Sequence, residues 1–446
     1  MPLPFLINNE RQHDTMKIQL IDKPYREVIE EHEKKREKHR KPKRPNILFR
    51  TLMKLLALPD MMATHFHFDK INMERLPKGA NAFYLMNHSS FIDLEIVAEM
   101  LYPQPFNIVA TTDGFVGKDW LMREIGCIPT KKFVADLGLI KDIIYAARDL
   151  KDNIVMFPEA GYTFDGTATV LPESIGQFIK MLGLPVVIIQ TFGAFARDPL
   201  YNNLQKRKVN VSATMEYVLS PEEIEKMTKE EIFALVNEKF SFDNFKWQEE
   251  EDVHITESFR ADGLERILYK CPHCLAEARM LGKGETVTCL ECGKSYHLDE
   301  LGRLECEGAE CEISHIPDWY RWEREEVRRE LEAGTYSLDI EVDIVIAVDT
   351  KAMYRVGPGR LVHDLDGLHL TSEEIDYHHK PLASYTICSD FNFYEIGDVI
   401  GFGDNKCLYY CFPKDQTVSV AKVRLAAEEL YKMERAKLEE KRGRKA

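Results

Sequence analysis

Long apolar runs are missing from this chain. No uninterrupted apolar window of about 18 residues occurs, so no membrane-crossing helix is expected. The opening stretch, MPLPFLINNERQHD, lacks the basic-then-apolar order of a secretion signal. An excess of positive charge is missing too. Lys and Arg number 59 against 74 Asp and Glu, a formal net charge of -15, which argues against bulk nucleic-acid binding. No internal repeat is visible. With no export signal, the ten cysteines point to a reducing cytoplasmic setting and to metal binding before disulfides.

What is present is ordinary for a globular protein. The 446 residues are 44% hydrophobic and 30% charged, enough for two or three domains and a large core. Four regions are expected. Residues 1–70 form an N-terminal segment with a basic run, KKREKHRKPKR (Lys34 to Arg44), before the apolar stretch PNILFRTLMKLLALPDMM. Residues 71–248 alternate strands (NAFYLMN, NIVAT, NIVMFPE, PVVIIQT, VNVSATMEYV) with helices (LGLIKDIIYAARDLK, LPESIGQFIKMLG). That alternation predicts an α/β fold with a mainly parallel sheet flanked by helices. Residues 249–335 hold a cysteine-rich insert and the helix PDWYRWEREEVRRELEAG, and residues 336–446 are β-rich with a closing helix.

The candidate chemistry begins at AFYLMNHSSFID. A strand ending at Asn87 delivers His88 to the C-terminal edge of the sheet, where open α/β folds bind ligands. Ser89 or Ser90 can cap the next helix, and Asp93, about one turn in, can hold one imidazole nitrogen. The other nitrogen is then a general base for a hydroxyl attacking an acyl carbonyl. A second strand end, FPEAGYT, adds Glu159 and a small-residue turn, either to hold an acceptor hydroxyl or to orient the base.

Together these blocks resemble the glycerolipid acyltransferases, typified by 1-acyl-sn-glycerol-3-phosphate acyltransferase. NHSSFID resembles their Asn-His-x-x-x-x-Asp block, GCIPTKK (Gly126 to Lys132) the second, FPEAGYT the Phe-Pro-Glu-Gly block and GLPVVIIQ the apolar-Pro block. The resemblance implies transfer of a fatty acyl group from acyl-CoA or acyl carrier protein to a lysolipid hydroxyl, giving phosphatidic acid when the acceptor is 1-acyl-sn-glycerol-3-phosphate. His88 and Asp93 would be catalytic, and Asn87, Lys132, Glu159 and Gly161 would bind the acceptor. Two departures stand out. Lysine replaces arginine at Lys132, a point charge in place of a fork. Ala160-Gly161-Tyr162 replaces the usual Gly then Thr-Arg, so Arg197, Lys206 or Arg207 would have to supply the phosphate contact. Another lysolipid or a non-phosphate acceptor is the alternative.

CPHC and CLEC place Cys271, Cys274, Cys289 and Cys292 as two knuckles of a zinc ribbon. Four thiolates leave no open coordination position, so the Zn2+ would be structural. Cys306 and Cys311 lack the knuckle spacing and are expected to be unpaired. Zinc ribbons often bind nucleic acid, but acidic neighbours (WQEEEDVHITESF, ECEGAECEI) argue against it, leaving a scaffold protein with an inactive domain as the other functional class. The aromatic helix with Trp319, Tyr320 and Trp322 is expected to pack on the catalytic domain or cover its acyl entrance, with plain core packing as the competing reading. The basic run beside an apolar helix bearing Phe49 and Leu52 suggests peripheral attachment to an anionic membrane surface, on the inner face of the cell membrane. A helix packed on the protein's own domain is the competing reading. The C-terminal region resembles, by fold analogy alone, a pleckstrin-homology-like barrel.

Overall fold

The structure is a computed structural model. It describes residues 18, 20–34, 39–134, 136–159, 161–308 and 310–443. The first fourteen residues quoted above lie outside that set. A three-residue strand, β1 (Leu20–Asp22), opens the described chain.

Seven strands form the sheet that carries the histidine: β2 (His67–Ile71), β3 (Phe83–Met86), β4 (Phe106–Thr111), β5 (Cys127–Thr130), β6 (Asn153–Met156), β7 (Val186–Phe192) and β8 (Ser212–Leu219). Their order is β2-β8-β7-β3-β6-β4-β5. Every neighbouring pair is parallel except β7 and β8, whose register shifts between Val186 and Val187. The fold is therefore mixed α/β with a mainly parallel sheet.

β3 sits at the centre and shows why the sheet needs two helical layers. Its side chains alternate between faces. Tyr84 and Met86 pack with the helices Ile47–Ala63 and Asp93–Leu101, while Phe83 and Leu85 pack with Leu137–Arg148 and Ser174–Leu182. All four are at most 2% exposed. Burying each contributes about 1.5–3 kcal/mol, so a polar substitution anywhere in β3 would break the layer.

The insert forms a four-stranded antiparallel sheet, β9 (Met280–Lys283), β10 (Thr286–Cys289), β11 (Ser295–Leu298) and β12 (Leu304–Glu305), in the order β12-β11-β10-β9. The helix Ile316–Ala333 packs on it. Trp319 is fully buried, donates its indole N–H to the Lys270 carbonyl at 3.0 Å and meets Tyr296 edge-on. Trp319 thus anchors the insert, in keeping with core packing.

The C-terminal region runs β13 (Leu338–Ala347), β14 (Met353–Asp364), β15 (Gly367–Thr371), β16 (Asp376–His379), β17 (Cys388–Phe393), β18 (Gly397–Gly403), β19 (Leu408–Pro413) and the helix Val420–Gly443. The strand order is β16-β15-β14-β13-β19-β18-β17, antiparallel throughout, with β1 added parallel to β14. Its core is continuous with that of the insert and with Phe164 and Phe195 of the first sheet's loops. The C-terminal region is consequently docked on the sheet that carries His88.

Candidate active site and cysteine cluster

The central position of β3 explains the site. Its C-terminal end is flanked by β6, which leads to Glu159, and by β7, which carries Thr191. Asn87 accepts the Thr191 backbone N–H at 2.8 Å and its hydroxyl at 3.1 Å, and donates to Ser89 Oγ at 3.0 Å. Its amide pins the loop to the neighbouring strand.

His88 Nδ1 lies 2.9 Å from Asp93 Oδ2. The same oxygen accepts the backbone N–H groups of Ser89 (2.8 Å) and Ser90 (3.2 Å). Neither serine caps the helix. Asp93 is the first residue of the helix Asp93–Leu101 and its carboxylate gathers the preceding N–H groups itself. Asp93 is buried, at 1% exposure, and as an acceptor it assigns the proton to Nδ1 of His88. Nε2 is left as the basic nitrogen. The ring is stacked between Phe157 (4.2 Å) and Tyr162 (4.1 Å), with its side chain 20% exposed.

Glu159 is also buried, and both oxygens are engaged. Oε2 accepts the His88 backbone N–H at 2.7 Å, while Oε1 accepts the Thr169 N–H at 2.8 Å and hydroxyl at 3.1 Å. Burial pushes its pKa above the ordinary carboxylate value, against the pull of those bonds. The geometry matches the orienting role considered above. Gly161 borders open space, where an added Cβ would meet nothing within 4 Å.

Lys132 lies on the turn after β5, and its ammonium is 3.8 Å from the Cys388 sulfur of β17. Burial acts against its charge, but Cys388, Asp113 and Asp390 outweigh it and hold the lysine above its usual pKa. Burial pushes the Cys388 thiol up to about 11 and the Asp390 carboxyl up to about 6. Asp390 and Cys388 come from the C-terminal region. Tyr394, from the turn after β17, donates to Asp113 at 3.0 Å. No sequence signal tied these residues to Lys132.

The three cations suggested as phosphate partners are engaged elsewhere. Arg197 pairs with Asp60 (2.7 Å) and Asp198 (2.9 Å), Lys206 with Asp60 (2.9 Å), and Arg207 bonds the Tyr201 hydroxyl and the Arg260 carbonyl.

In the insert, one sulfur from each of Cys271, Cys274, Cys289 and Cys292 lies within 4.8 Å of the others, a grouping that could hold a metal ion. The Cys271–Cys292 and Cys274–Cys289 separations are 3.9 and 3.7 Å. A tetrahedral Zn–S bond of about 2.3 Å requires about 3.8 Å between sulfurs, so the donor set fits zinc. Cys306 and Cys311, expected to be unpaired, form a disulfide. Their five-residue spacing lets the loop fold back, with Cα atoms 5.3 Å apart.

Residues 67–190 match the family described as Acyltransferase. That segment of the chain is similar to an acyltransferase domain. The matched span includes His88, Asp93, Lys132 and Glu159. Among solved structures, the chain is similar to the 1-acyl-sn-glycerophosphate (LPA) acyltransferase PlsC from Thermotoga maritima. The identity is 16% and the TM-score 0.33, over 43% of this chain and 76% of that one. No curated protein sequence matches the chain significantly.

Proposed function

We propose that the protein is an O-acyltransferase that moves a fatty acyl group from acyl-CoA or acyl carrier protein to the hydroxyl of a lysolipid. The observation that supports it best is the 2.9 Å bond between His88 and buried Asp93 inside the segment similar to an acyltransferase domain. Nε2 of His88 removes the acceptor hydroxyl proton as the oxygen attacks the thioester carbonyl. The carbon–sulfur bond breaks, and the thiol leaves with the proton held by the imidazole. No covalent acyl-enzyme is needed. Asp93 fixes the tautomer, and Glu159 and Asn87 hold the loop that presents the ring.

The family resemblance nominates 1-acyl-sn-glycerol-3-phosphate as acceptor, with Lys132 as the phosphate contact and phosphatidic acid as product. A second acceptor class, without a phosphate monoester, is favoured by the two carboxylates already acting on Lys132. A scaffold role with an inactive domain is disfavoured by the intact His88–Asp93 pair. An acceptor screen with labelled acyl-CoA, followed by mass analysis of the lipid products, tests the reading. Acylated lysolipid supports it, and no product from any lysolipid removes it.

The four cysteines would hold a structural Zn2+ as a zinc ribbon, cross-linking β10 and the preceding knuckle. The C-terminal strand order with its closing helix supports a pleckstrin-homology-like module. Peripheral attachment to an anionic membrane, at the inner face of the cell membrane, would rest on the helix Ile47–Ala63. No described helix is long and apolar enough to cross a membrane. Leu48 (71% exposed), Leu55 (60%) and Met62 (67%) recur every seventh residue on one face of that helix, and Trp120 is exposed near Phe49. Phe49 and Leu52 themselves are half-buried. Much of the described basic run is paired within the protein, Arg40 with Asp119, Lys43 with Glu124 and Arg44 with Asp152. Asp152 is buried, but the Arg40 and Lys43 pairs lie near the surface and contribute about 0–1 kcal/mol, so anionic headgroups can compete for those two cations.

A further inference from the structure

The C-terminal region contributes to the acceptor end of the active site. Cys388 and Asp390 are two apart on β17, on one face of a strand. Cys388 touches Lys132, and the Phe393 ring lies 6.0 Å from the same ammonium. Phe391 packs on Phe164, just beyond the FPEAGYT turn, at 4.6 Å between ring centres. Tyr162, which stacks on His88, feels the charges of Asp93, Asp390 and Asp113. β17 thus supplies one wall that runs from the lysine at the family's phosphate position to Phe164, beside the turn that carries Tyr162.

The charge and hydrogen-bonding capacity of that wall are the reverse of a phosphate cradle. Lys132 is opposed by two carboxylates, Asp113 and Asp390. A phosphate monoester approaching the lysine meets both, and like charges in a poorly solvated site repel strongly. The wall also has unused polar atoms. Asp113 is buried at 5% exposure, and its Oδ1 has no hydrogen-bond partner. Tyr410 of β19 is 1% exposed with an unpartnered hydroxyl, within range of the Asp113 charge. A buried carboxylate oxygen without a donor is costly unless a ligand or water supplies one. A phosphate dianion has no hydrogen to donate, whereas a free glycerol hydroxyl does.

We propose that Asp390, acting with Asp113, is a specificity-determining residue of the acyl transfer: it selects an acceptor whose headgroup is uncharged and donates hydrogen bonds, and rejects a phosphate monoester. This rests on the acyl-transfer reading above. Lys132 then serves to place the two aspartates, and the C-terminal region becomes part of the catalytic unit.

The test compares kcat/KM for 1-acyl-sn-glycerol-3-phosphate and for a monoacylglycerol of the same chain, with one acyl-CoA, in the full-length wild type, Asp390→Asn and Asp390→Glu. The expected result is at least a tenfold preference of the wild type for the monoacylglycerol. Asp390→Asn should raise kcat/KM for the phosphate acceptor roughly tenfold through KM and lower it for the uncharged acceptor, which loses a hydrogen-bond acceptor, while Asp390→Glu keeps the wild-type ranking. A wild type that prefers the phosphate acceptor, or an Asp390→Asn change equal for both, overturns the inference while leaving the acyl transfer in place. A wild type inactive on both, and on a wider lysolipid panel, overturns the acyl-transfer reading and the inference with it.

Discussion

Glu159 holds His88 by its backbone, not by its ring: the carboxylate accepts the histidine N–H at 2.7 Å across 71 residues of sequence. The ring is held separately by Asp93. Two carboxylates thus divide the placement of one residue, one fixing the main chain where β3 ends and the other fixing the imidazole.

Glu159→Gln tests that division. Glutamine keeps one acceptor oxygen and turns the other into a donor facing an N–H group, so either His88 or Thr169 loses its partner. A buried unsatisfied group costs about 1–3 kcal/mol. Urea unfolding should show a loss of that size, with kcat reduced more than KM.

The cysteine cluster predicts one zinc per chain by elemental analysis. Chelation, or Cys271→Ser with Cys289→Ser, should lower the melting temperature, because β10 and the knuckle at Cys271 lose their shared anchor. Metal-free protein of unchanged stability would remove the zinc ribbon.

Glu428 predicts an acid limb to stability. It lies between Arg324 (2.7 Å) and Arg424 (3.0 Å) and also accepts the Thr386 hydroxyl at 2.7 Å. Burial raises its pKa, but the two arginines prevail and hold it down at about 2. The folded pKa is below the unfolded value of about 4.3, so this stabilisation is present above that pH. It is lost as pH falls through about 2. Glu428→Gln should remove this acid-dependent component and cost about 3–5 kcal/mol at neutral pH, since buried Arg424 loses its carboxylate partner and Arg324 is left with Glu429 alone. Denaturant titrations between pH 2 and pH 7 of both proteins check it.

Membrane attachment is tested on the helix face that the protein leaves exposed. Deleting the whole helix would also remove Asp60, the partner of Arg197 and Lys206. Leu48→Glu, Leu55→Glu and Met62→Glu together should instead reduce co-sedimentation with anionic vesicles while the melting temperature holds. Unchanged sedimentation would leave the helix as packing alone.

Much of the site was legible because it is local. Asn87, His88 and Asp93 fall on one strand–loop–helix unit, and each of the four blocks sits on or just after a strand with a parallel neighbour in that sheet (β3, β5, β6 and β7). The alternating apolar strands gave the α/β layering for the same reason, since a strand buried on both faces reads as a short apolar run. What escaped is long-range. Cys388 meets Lys132 from 256 positions away, through the docking of a second sheet whose strands carry no motif. Trp319 packs on the insert and not on the catalytic domain, because helical amphipathicity shows that a face is buried but not against what. The serines beside His88 do not cap the helix, because it starts only at Asp93, whose carboxylate instead accepts the serines' own N–H groups. The Cys306–Cys311 bridge depends on a loop reversal that spacing does not disclose.

The most direct test of the account is transfer from labelled acyl-CoA to lysolipid by His88→Ala. Alanine removes the base, yet Asp93 keeps the Ser89 and Ser90 N–H groups, so the loop retains its anchor. The account predicts that turnover falls to background while the melting temperature and vesicle binding stay close to wild type. Full turnover in that variant would contradict it.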